Sequence, residues 1–228
     1  MDQSRARISI EIYSDVVCPW CYVGKRRLER ALVQSHGSVK GLIAWRPFQL
    51  NPTMPQEGME RTAYLEAKFG STDAFRRLEE HVSEAGRTER IDFAFEKIVR
   101  TPNTFLAHRL IWHASRQDRQ DSVVESLFKG YFEEGADIGS SATLVRLAQR
   151  AGLDGADTER FFQKDEGVAE VKVEEAAGHR LGIRSVPYFV LNQAYVISGA
   201  QPVERFVAAI EKVLTQPATI SAGAAGKR

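Results

Sequence analysis

The chain has 228 residues, 43% hydrophobic and 27% charged, which predicts a globular protein with a buried core and excludes disordered and collagen-like chains. Lys and Arg total 31 against 30 Asp and Glu, so the net charge of +1 provides no overall attraction for nucleic acid or an anionic membrane. No apolar run reaches the length of a bilayer span and no signal-peptide core follows Met1, so we expect a cytoplasmic protein.

The N-terminal part predicts a strand, a helix and a second strand. Residues Ile8–Tyr13 place β-branched side chains at every second position, as in a half-buried strand. Pro19 suits the first turn of a helix, and the helical pattern after it lasts until His36-Gly37. Residues 25–27 (Lys-Arg-Arg) predict a solvated face of this helix. The stretch Leu42–Phe48 predicts the second strand, and the proline near its end indicates an edge or a bend.

The middle of the chain predicts helices only. Between Thr62 and Leu181 no convincing strand pattern occurs, and Gly, Pro or Asp residues separate successive helical patterns. These helices are predicted over residues 62–69, 71–86, 103–118, 120–134, 140–152, 158–164 and 166–181.

The C-terminal part returns to strands. Residues Val186–Asn192 predict a strand, Asn192-Gln193 a tight turn, and Ala194–Ser198 the hairpin partner. Apolar residues then mark one face of a closing helix: Phe206, Val207, Ile210, Val213 and Leu214. The Ala, Gly, Ser and Thr content after Gln216 predicts a loose tail.

This order of elements predicts an α/β unit interrupted by an all-helical insertion. The α/β unit comprises residues 1–53 and 182–216, the insertion residues 54–181, and the flexible tail residues 217–228.

The two cysteines, Cys18 and Cys21, form a C-x-x-C motif where the first strand passes into the first helix. Random placement would give this spacing in about one chain in a hundred, so it suggests a mechanism. The unpaired N–H groups and the positive dipole end of a helix start favour a thiolate over a thiol at Cys18. We therefore predict that Cys18 is the more exposed sulfur and the nucleophile, and that Cys21 resolves the mixed disulfide.

Two other uses of the cysteine pair are weaker. A disulfide kept for stability alone would close a very short loop and contribute little. A structural zinc site needs four ligands, and the sequence has no second C-x-x-C, while His108 and His113 are poorly spaced for one metal. We expect no metal.

Three motifs carry a resemblance to a known family. They are Tyr13–Cys21 (Tyr-Ser-Asp-Val-Val-Cys-Pro-Trp-Cys), Asn103–Arg109 (Asn-Thr-Phe-Leu-Ala-His-Arg) and Gly182–Phe189 (Gly-Ile-Arg-Ser-Val-Pro-Tyr-Phe). With them the chain resembles the DsbA family of the thioredoxin superfamily, and within it the FrnE-like branch, from about Ile8 to Leu214. The resemblance implies a thioredoxin fold with a helical insertion.

The resemblance also implies roles for four residues around the cysteines. Pro187 would be cis and face the pair, and Val186 would offer its backbone N–H and C=O to an extended substrate. Pro19 and Trp20 would shape the turn and the surroundings of both sulfurs. No cofactor is implied beyond the redox-active disulfide of Cys18 and Cys21.

Three accessory residues have two interpretations each. Asp15 either accepts a proton through water when Cys21 is deprotonated or shapes the turn before the helix, and we favour the turn. His108 and Arg109 either face the site, with Arg109 binding a carboxylate, or are an interior histidine and a solvated surface charge. We favour the second interpretation for both.

The leading functional hypothesis is a thiol–disulfide oxidoreductase acting on a protein or a low-molecular-weight thiol or disulfide, with glutathione as a candidate substrate. The direction depends on its reduction potential relative to that of the compartment. Kappa-class glutathione transferases and 2-hydroxychromene-2-carboxylate isomerases are the first alternative, although they have serine at the position matching Cys18. A chaperone-like binding module is the second. A dimer is compatible with all three.

Overall fold

The computed structural model describes residues 6–35 and 39–215, except for the side chains of residues 72–74. Its strands are β1 (Ala6–Ser14), β2 (Val39–Pro47), β3 (Met59–Glu60), β4 (Arg100–Thr101), β5 (Tyr188–Leu191) and β6 (Tyr195–Ser198). Its helices are α1 (Pro19–Gln34), α2 (Arg61–Phe69), α3 (Thr72–Thr88), α4 (Phe105–Ser115), α5 (Gln120–Phe132), α6 (Ser141–Arg150), α7 (Gly155–Phe162), α8 (Val168–Arg180) and α9 (Val203–Thr215), with one 3-10 turn at Phe95–Lys97.

Strand β1 lies inside a four-stranded sheet of order β2-β1-β5-β6. It pairs in parallel with β2 and antiparallel with β5, and its three alternating isoleucines are buried, as the period-two pattern predicts. Tyr13, near the end of β1, is the register partner of Tyr188, the first residue of β5. The segment that follows β1 and the segment that precedes β5 therefore meet at the same end of the sheet.

The hairpin between β5 and β6 turns at Asn192 and Gln193. Both residues have positive φ, 46° and 57°, the left-handed conformation typical of tight hairpin turns. Leu191 pairs with Tyr195, so Ala194, predicted as the first residue of the partner strand, belongs to the connection. The predicted turn is confirmed, and helix α9 follows it and packs against α1 and the sheet.

Each helix predicted between residues 62 and 181 is present, with ends within three residues of the predicted ones. The expectation that this stretch contains no strand is wrong at Arg100–Thr101, which pairs with Met59–Glu60 in a two-stranded sheet. Two residues are too short to show a period-two pattern, so the sequence offered no signal for this pair.

The helical block packs directly on the α/β unit. Trp45 of β2 donates its indole N–H to Asp121 at 3.0 Å and its backbone N–H to Gln120 at 2.9 Å, both on α5. Lys25 is only 3% exposed and forms ion pairs with Glu29, Asp121 and Glu125. The predicted solvated face at residues 25–27 is therefore wrong, because the helical block supplies carboxylates that bury Lys25.

Two predictions concern residues outside the described part of the chain. The first is the loose tail over residues 217–228, and the second is the helix end at His36-Gly37; the described helix ends at Gln34. Within the described residues, no helix is long and apolar enough to cross a membrane.

Candidate active site

Cys18 is the residue that caps the N-terminus of α1. Its backbone is extended, with φ of −94° and ψ of 110°, and Pro19 opens the helix where a missing N–H costs least. The Cys18 N–H donates to the Asp15 carbonyl at 3.0 Å, and the Cys21 N–H donates to the Cys18 carbonyl at 3.0 Å. The first turn of α1 contains no acidic residue, so no carboxylate of that turn opposes a negative charge on the Cys18 sulfur.

Cys18 and Cys21 are both free thiols with different surroundings. Cys18 is 5% exposed and borders an open pocket, whereas Cys21 is 1% exposed. Burial raises the pKa of Cys21 well above its usual value, and a hydrogen bond with the Cys18 sulfur raises this pKa further. The Ser14 hydroxyl and the Asp15 amide lower the pKa, but their effect is smaller. Cys21 is thus a buried thiol that can donate to a thiolate on Cys18.

The segment before β5 lies across from Cys18. The Val186–Pro187 peptide bond is cis, and the Cys18 Sγ lies 3.7 Å from the Val186 carbonyl oxygen. The Val186 N–H has no acceptor among the described residues, whereas the Pro187 carbonyl accepts from the Gly199 N–H at 2.8 Å. The segment opposite Cys18 therefore has a backbone donor without an acceptor among the described residues.

Asp15 and His108 meet behind the cysteine pair. Asp15 is fully buried, His108 is 3% exposed, and the His108 Nε2 lies 3.3 Å from the Asp15 Oδ1. The other carboxylate oxygen of Asp15 accepts from the Leu50 N–H at 2.8 Å. Within the described part of the chain, Ser14 Oγ, Asp15 Oδ1 and His108 Nε2 all lack an aligned hydrogen-bond partner. Asp15 lies in the turn before α1, where its carbonyl accepts from the Cys18 N–H, and its carboxylate brings the ionisable side chain of His108 to this turn.

Arg109 does not reach the site, and it is not the solvated charge that the sequence suggested. It is 7% exposed, and its guanidinium donates to the backbone carbonyls of Lys164 and Glu166 and lies over the Phe161 ring at 5.1 Å. The chain between α7 and α8 offers these carbonyls, and they take up the donors that a substrate carboxylate would need. Arg109 therefore fixes a loop of the helical block.

A pocket of about 290 Å³ opens beside Cys18, between the start of α1 and helices α2 and α3. Pro19 and Trp20 form part of its wall, and the Trp20 ring also meets the His81 ring edge-on, with centroids 5.4 Å apart. Among the described residues, no group of three or more His, Cys, Asp or Glu side chains has the proximity of a metal site.

Comparison with known families identifies the fold. The model of the DSBA-like thioredoxin domain matches residues 9–211. The chain belongs to this family.

Proteins similar to this DSBA-like chain include oxidoreductases. A probable DsbA oxidoreductase from Streptomyces coelicolor is 29% identical, with a TM-score of 0.85 over 94% of this chain and 93% of that one. The uncharacterized protein YwbO of Bacillus subtilis is 26% identical over 209 residues, 89% of this chain and 96% of its own length. The cytosolic disulfide reductase DsbM from Pseudomonas aeruginosa, solved with GSH, shares the fold, with 16% identity and a TM-score of 0.64 over 91% and 100% of the two chains.

Several residues around the site of this DSBA-like chain were missed in the sequence analysis. Ser14 faces Cys21, while Arg61, Tyr64 and Lys68 line the pocket beside Cys18. The last three lie on α2, 40 or more positions after the C-x-x-C motif, and the sequence contains no short motif that links them to it. The fold brings them to the site, because residues of α2 and of the start of α1 line the same pocket.

Proposed function

We propose that this protein is a thiol–disulfide oxidoreductase that uses Cys18 as nucleophile and Cys21 as resolving thiol. One observation supports this assignment above the others: a buried Cys21 thiol is placed to hydrogen-bond the Cys18 sulfur at the start of a helix. The helix end and this hydrogen bond both stabilise negative charge on Cys18, which makes it the stronger nucleophile of the two.

In the first step, the Cys18 thiolate attacks one sulfur of a substrate disulfide. A bond forms between Cys18 Sγ and that sulfur, the substrate S–S bond breaks, and the other substrate sulfur leaves as a thiolate with the bonding electron pair. The free Val186 N–H is the group that holds an extended substrate in line for this attack. Pro19 and Trp20 line the same pocket as Cys18.

In the second step, Cys21 loses its proton and attacks the Cys18 sulfur. The mixed disulfide breaks, the second substrate sulfur leaves as a thiolate, and Cys18 and Cys21 become a disulfide; the substrate has gained two electrons and the protein has lost two. Because the pKa of Cys21 is raised by burial, this step needs a proton acceptor. We assign that role to Asp15, with His108 as its ionisable partner.

The same chemistry runs in reverse when a dithiol substrate meets the oxidised protein. A low-molecular-weight thiol such as glutathione returns the oxidised pair to the dithiol form, yielding its own disulfide. The structural similarity to the cytosolic reductase solved with GSH supports glutathione as this thiol and the cytoplasm as the compartment.

The test is a trapping experiment with an insulin-type disulfide substrate. Cys21→Ala is expected to accumulate a covalent mixed disulfide on Cys18 that mass spectrometry detects, and to lose turnover. Cys18→Ala is expected to form no adduct. If Cys21→Ala retains turnover while Cys18→Ala loses it, the two-thiol cycle is wrong. Turnover of glutathione with an electrophile in the Cys21→Ala variant would instead support a transferase.

A further inference from the structure

The pocket beside Cys18 is mainly apolar. Its wall includes Trp20, Leu65, Phe75, Val82 and Phe132, contributed by α1, α2, α3 and α5. Its volume of about 290 Å³ is close to the lower end of small-molecule sites, roughly 300 to 1,000 Å³. A compact ring system fits this space, and a folded protein does not. The pocket therefore has the size and polarity for the apolar body of a small substrate.

An exposed lysine, Lys68, also lines this pocket. The Lys68 ammonium donates to the Tyr64 hydroxyl at 2.6 Å and to the Asn51 amide oxygen at 3.1 Å, and lies 5.2 Å from the centre of the Tyr64 ring. Within the described residues no carboxylate pairs with it. The Tyr64 hydroxyl also donates to Asn51, at 2.8 Å, so the three side chains hold one another in place.

The other cation of the pocket is already paired. The guanidinium of Arg61 binds the Glu79 carboxylate at 2.9 Å and lies over the rings of Phe75 and Phe95. Its charge is thus compensated inside the protein. Lys68 is the pocket-lining cation, among the described residues, whose charge is available to a ligand.

We propose that this pocket selects low-molecular-weight disulfides and thiols whose sulfur is attached to an apolar, preferably aromatic, body bearing a carboxylate. The inference rests on the proposed function of Cys18. The aromatic body would contact the apolar wall, and its carboxylate would pair with the exposed Lys68 ammonium in a charge-assisted hydrogen bond. The sulfur would then lie at the pocket mouth, where Cys18 attacks it and the second sulfur leaves as an aryl thiolate.

The test measures single-turnover reaction of the reduced protein with two aromatic disulfides. One is the dicarboxylate 5,5′-dithiobis(2-nitrobenzoate), and the other is the neutral 4,4′-dithiodipyridine. Lys68→Met is expected to lower the second-order rate constant for the dicarboxylate about tenfold and to change that for the neutral disulfide less than about twofold. Lys68→Arg is expected to retain most of the dicarboxylate rate, because the positive charge remains.

The matched control is Lys212→Met. Lys212 also lies over a tyrosine ring, 5.0 Å from the centre of Tyr195, but it belongs to α9 and does not line the pocket. This variant makes the same change in net charge, so it is expected to leave both rate constants near those of the unmodified protein. An equal loss in Lys212→Met would show a general charge effect and overturn the proposal.

The apolar part of the proposal has its own variant. Phe75→Ala is expected to slow both aromatic disulfides several-fold, and to leave bis(2-hydroxyethyl) disulfide, which is small and aliphatic, nearly unchanged. An equal loss for all three disulfides would contradict the proposed binding of an aromatic body.

The outcomes separate this proposal from the proposed function. Loss of all reaction in Cys18→Ser, combined with equal rates for both aromatic disulfides in Lys68→Met, would retain the oxidoreductase and reject the anion selectivity. Reaction that persists in Cys18→Ser would reject the oxidoreductase itself. If insulin reduction falls by the same factor as the dicarboxylate in Lys68→Met, the pocket recognises a protein and the small-molecule assignment is wrong.

Discussion

The Nε2 of His108, on α4, lies 3.3 Å from the Oδ1 of Asp15, three residues before Cys18. The two residues are 93 positions apart, and both are buried. A cavity of about 10 Å³ borders Ser14 and His108, roughly the space of one water molecule. The helical block thus supplies an ionisable partner to the acid that adjoins Cys21.

Asp15→Asn is expected to slow the resolving step about 100-fold near neutral pH, because general-base assistance typically contributes about 100-fold or more. The rate of the variant should rise with pH, since its Cys21 then depends on hydroxide to lose the proton. The measurement is stopped-flow decay of a preformed Cys18 mixed disulfide between pH 6 and 9. A pH profile identical to that of the unmodified protein would rule out Asp15 as the acceptor.

His108→Gln is expected to alter the same pH profile while leaving the first step unchanged, because His108 acts through Asp15. His113 provides the matched control, since its Nε2 also lies 3.3 Å from a carboxylate, that of Asp157, and it is 8% exposed. His113→Gln should leave the resolving rate unaltered. If both variants change the rate equally, the effect is structural.

The sequence predicted those features of the fold whose signal lies within a few neighbouring residues. Alternating isoleucines in β1, Pro19 at the start of α1 and the Asn192-Gln193 turn each have a signal within a few residues. The cysteine motif was likewise readable from its spacing. The approach of Asp15 to His108 depends instead on how the helical block packs on the sheet.

Two charged residues whose burial was wrongly predicted also depend on contacts between distant segments. Lys25 and Arg109 were each expected at a solvated position, and both are buried against groups from distant segments. Hydrophobic periodicity shows which positions of a helix or strand are apolar. It does not show which carboxylate or carbonyl, from a distant segment, will pair with a lysine or arginine.

Gly24→Ala is expected to impair the first step. A Cβ at Gly24 would lie 3.0 Å from Pro187 Cγ and 3.0 Å from Phe189 Cζ, so it would push the segment opposite Cys18 outwards. We expect about a tenfold loss in the rate of Cys18 attack on a peptide disulfide, because small errors in alignment are costly. The stability loss should be about 1 to 2 kcal/mol.

Gly41→Ala separates misalignment from simple crowding. A Cβ there would lie 3.1 Å from Leu32 Cδ1 and 3.3 Å from Ile10 Cδ1, a comparable fit away from the cysteines. It should cost similar stability in urea unfolding and leave the rate of the folded protein unchanged. Equal loss of rate in both variants would contradict the role given to the Pro187 segment.

Arg109→Lys is expected to lower the free energy of unfolding by about 2 kcal/mol without changing either redox step. A single ammonium cannot reach both carbonyls that the guanidinium serves, so buried acceptors lose their partner. Arg116→Lys is the control: Arg116 forms an ion pair with Glu166 in the same segment but is more than half exposed, and should cost less than about 1 kcal/mol. A slower first step in Arg109→Lys would contradict this prediction and show that Arg109 contributes to substrate binding.

The raised pKa of Cys21 predicts how the stability of the reduced protein changes with pH. In the unfolded chain a cysteine ionises near pH 8.5, whereas burial keeps the folded Cys21 neutral to higher pH. The contribution of this thiol to stability is therefore complete below about pH 8.5 and is lost as the pH rises towards the folded pKa. Between pH 8 and 9.5 the unmodified protein should lose about 1 kcal/mol more than Cys21→Ala, measured by urea unfolding with a reductant present. Cys18→Ala retains the buried Cys21 thiol, so its stability should show most of the same decline with pH. Parallel pH curves for the unmodified protein and Cys21→Ala would contradict the prediction, because they would show that Cys21 ionises equally easily in the folded and the unfolded state.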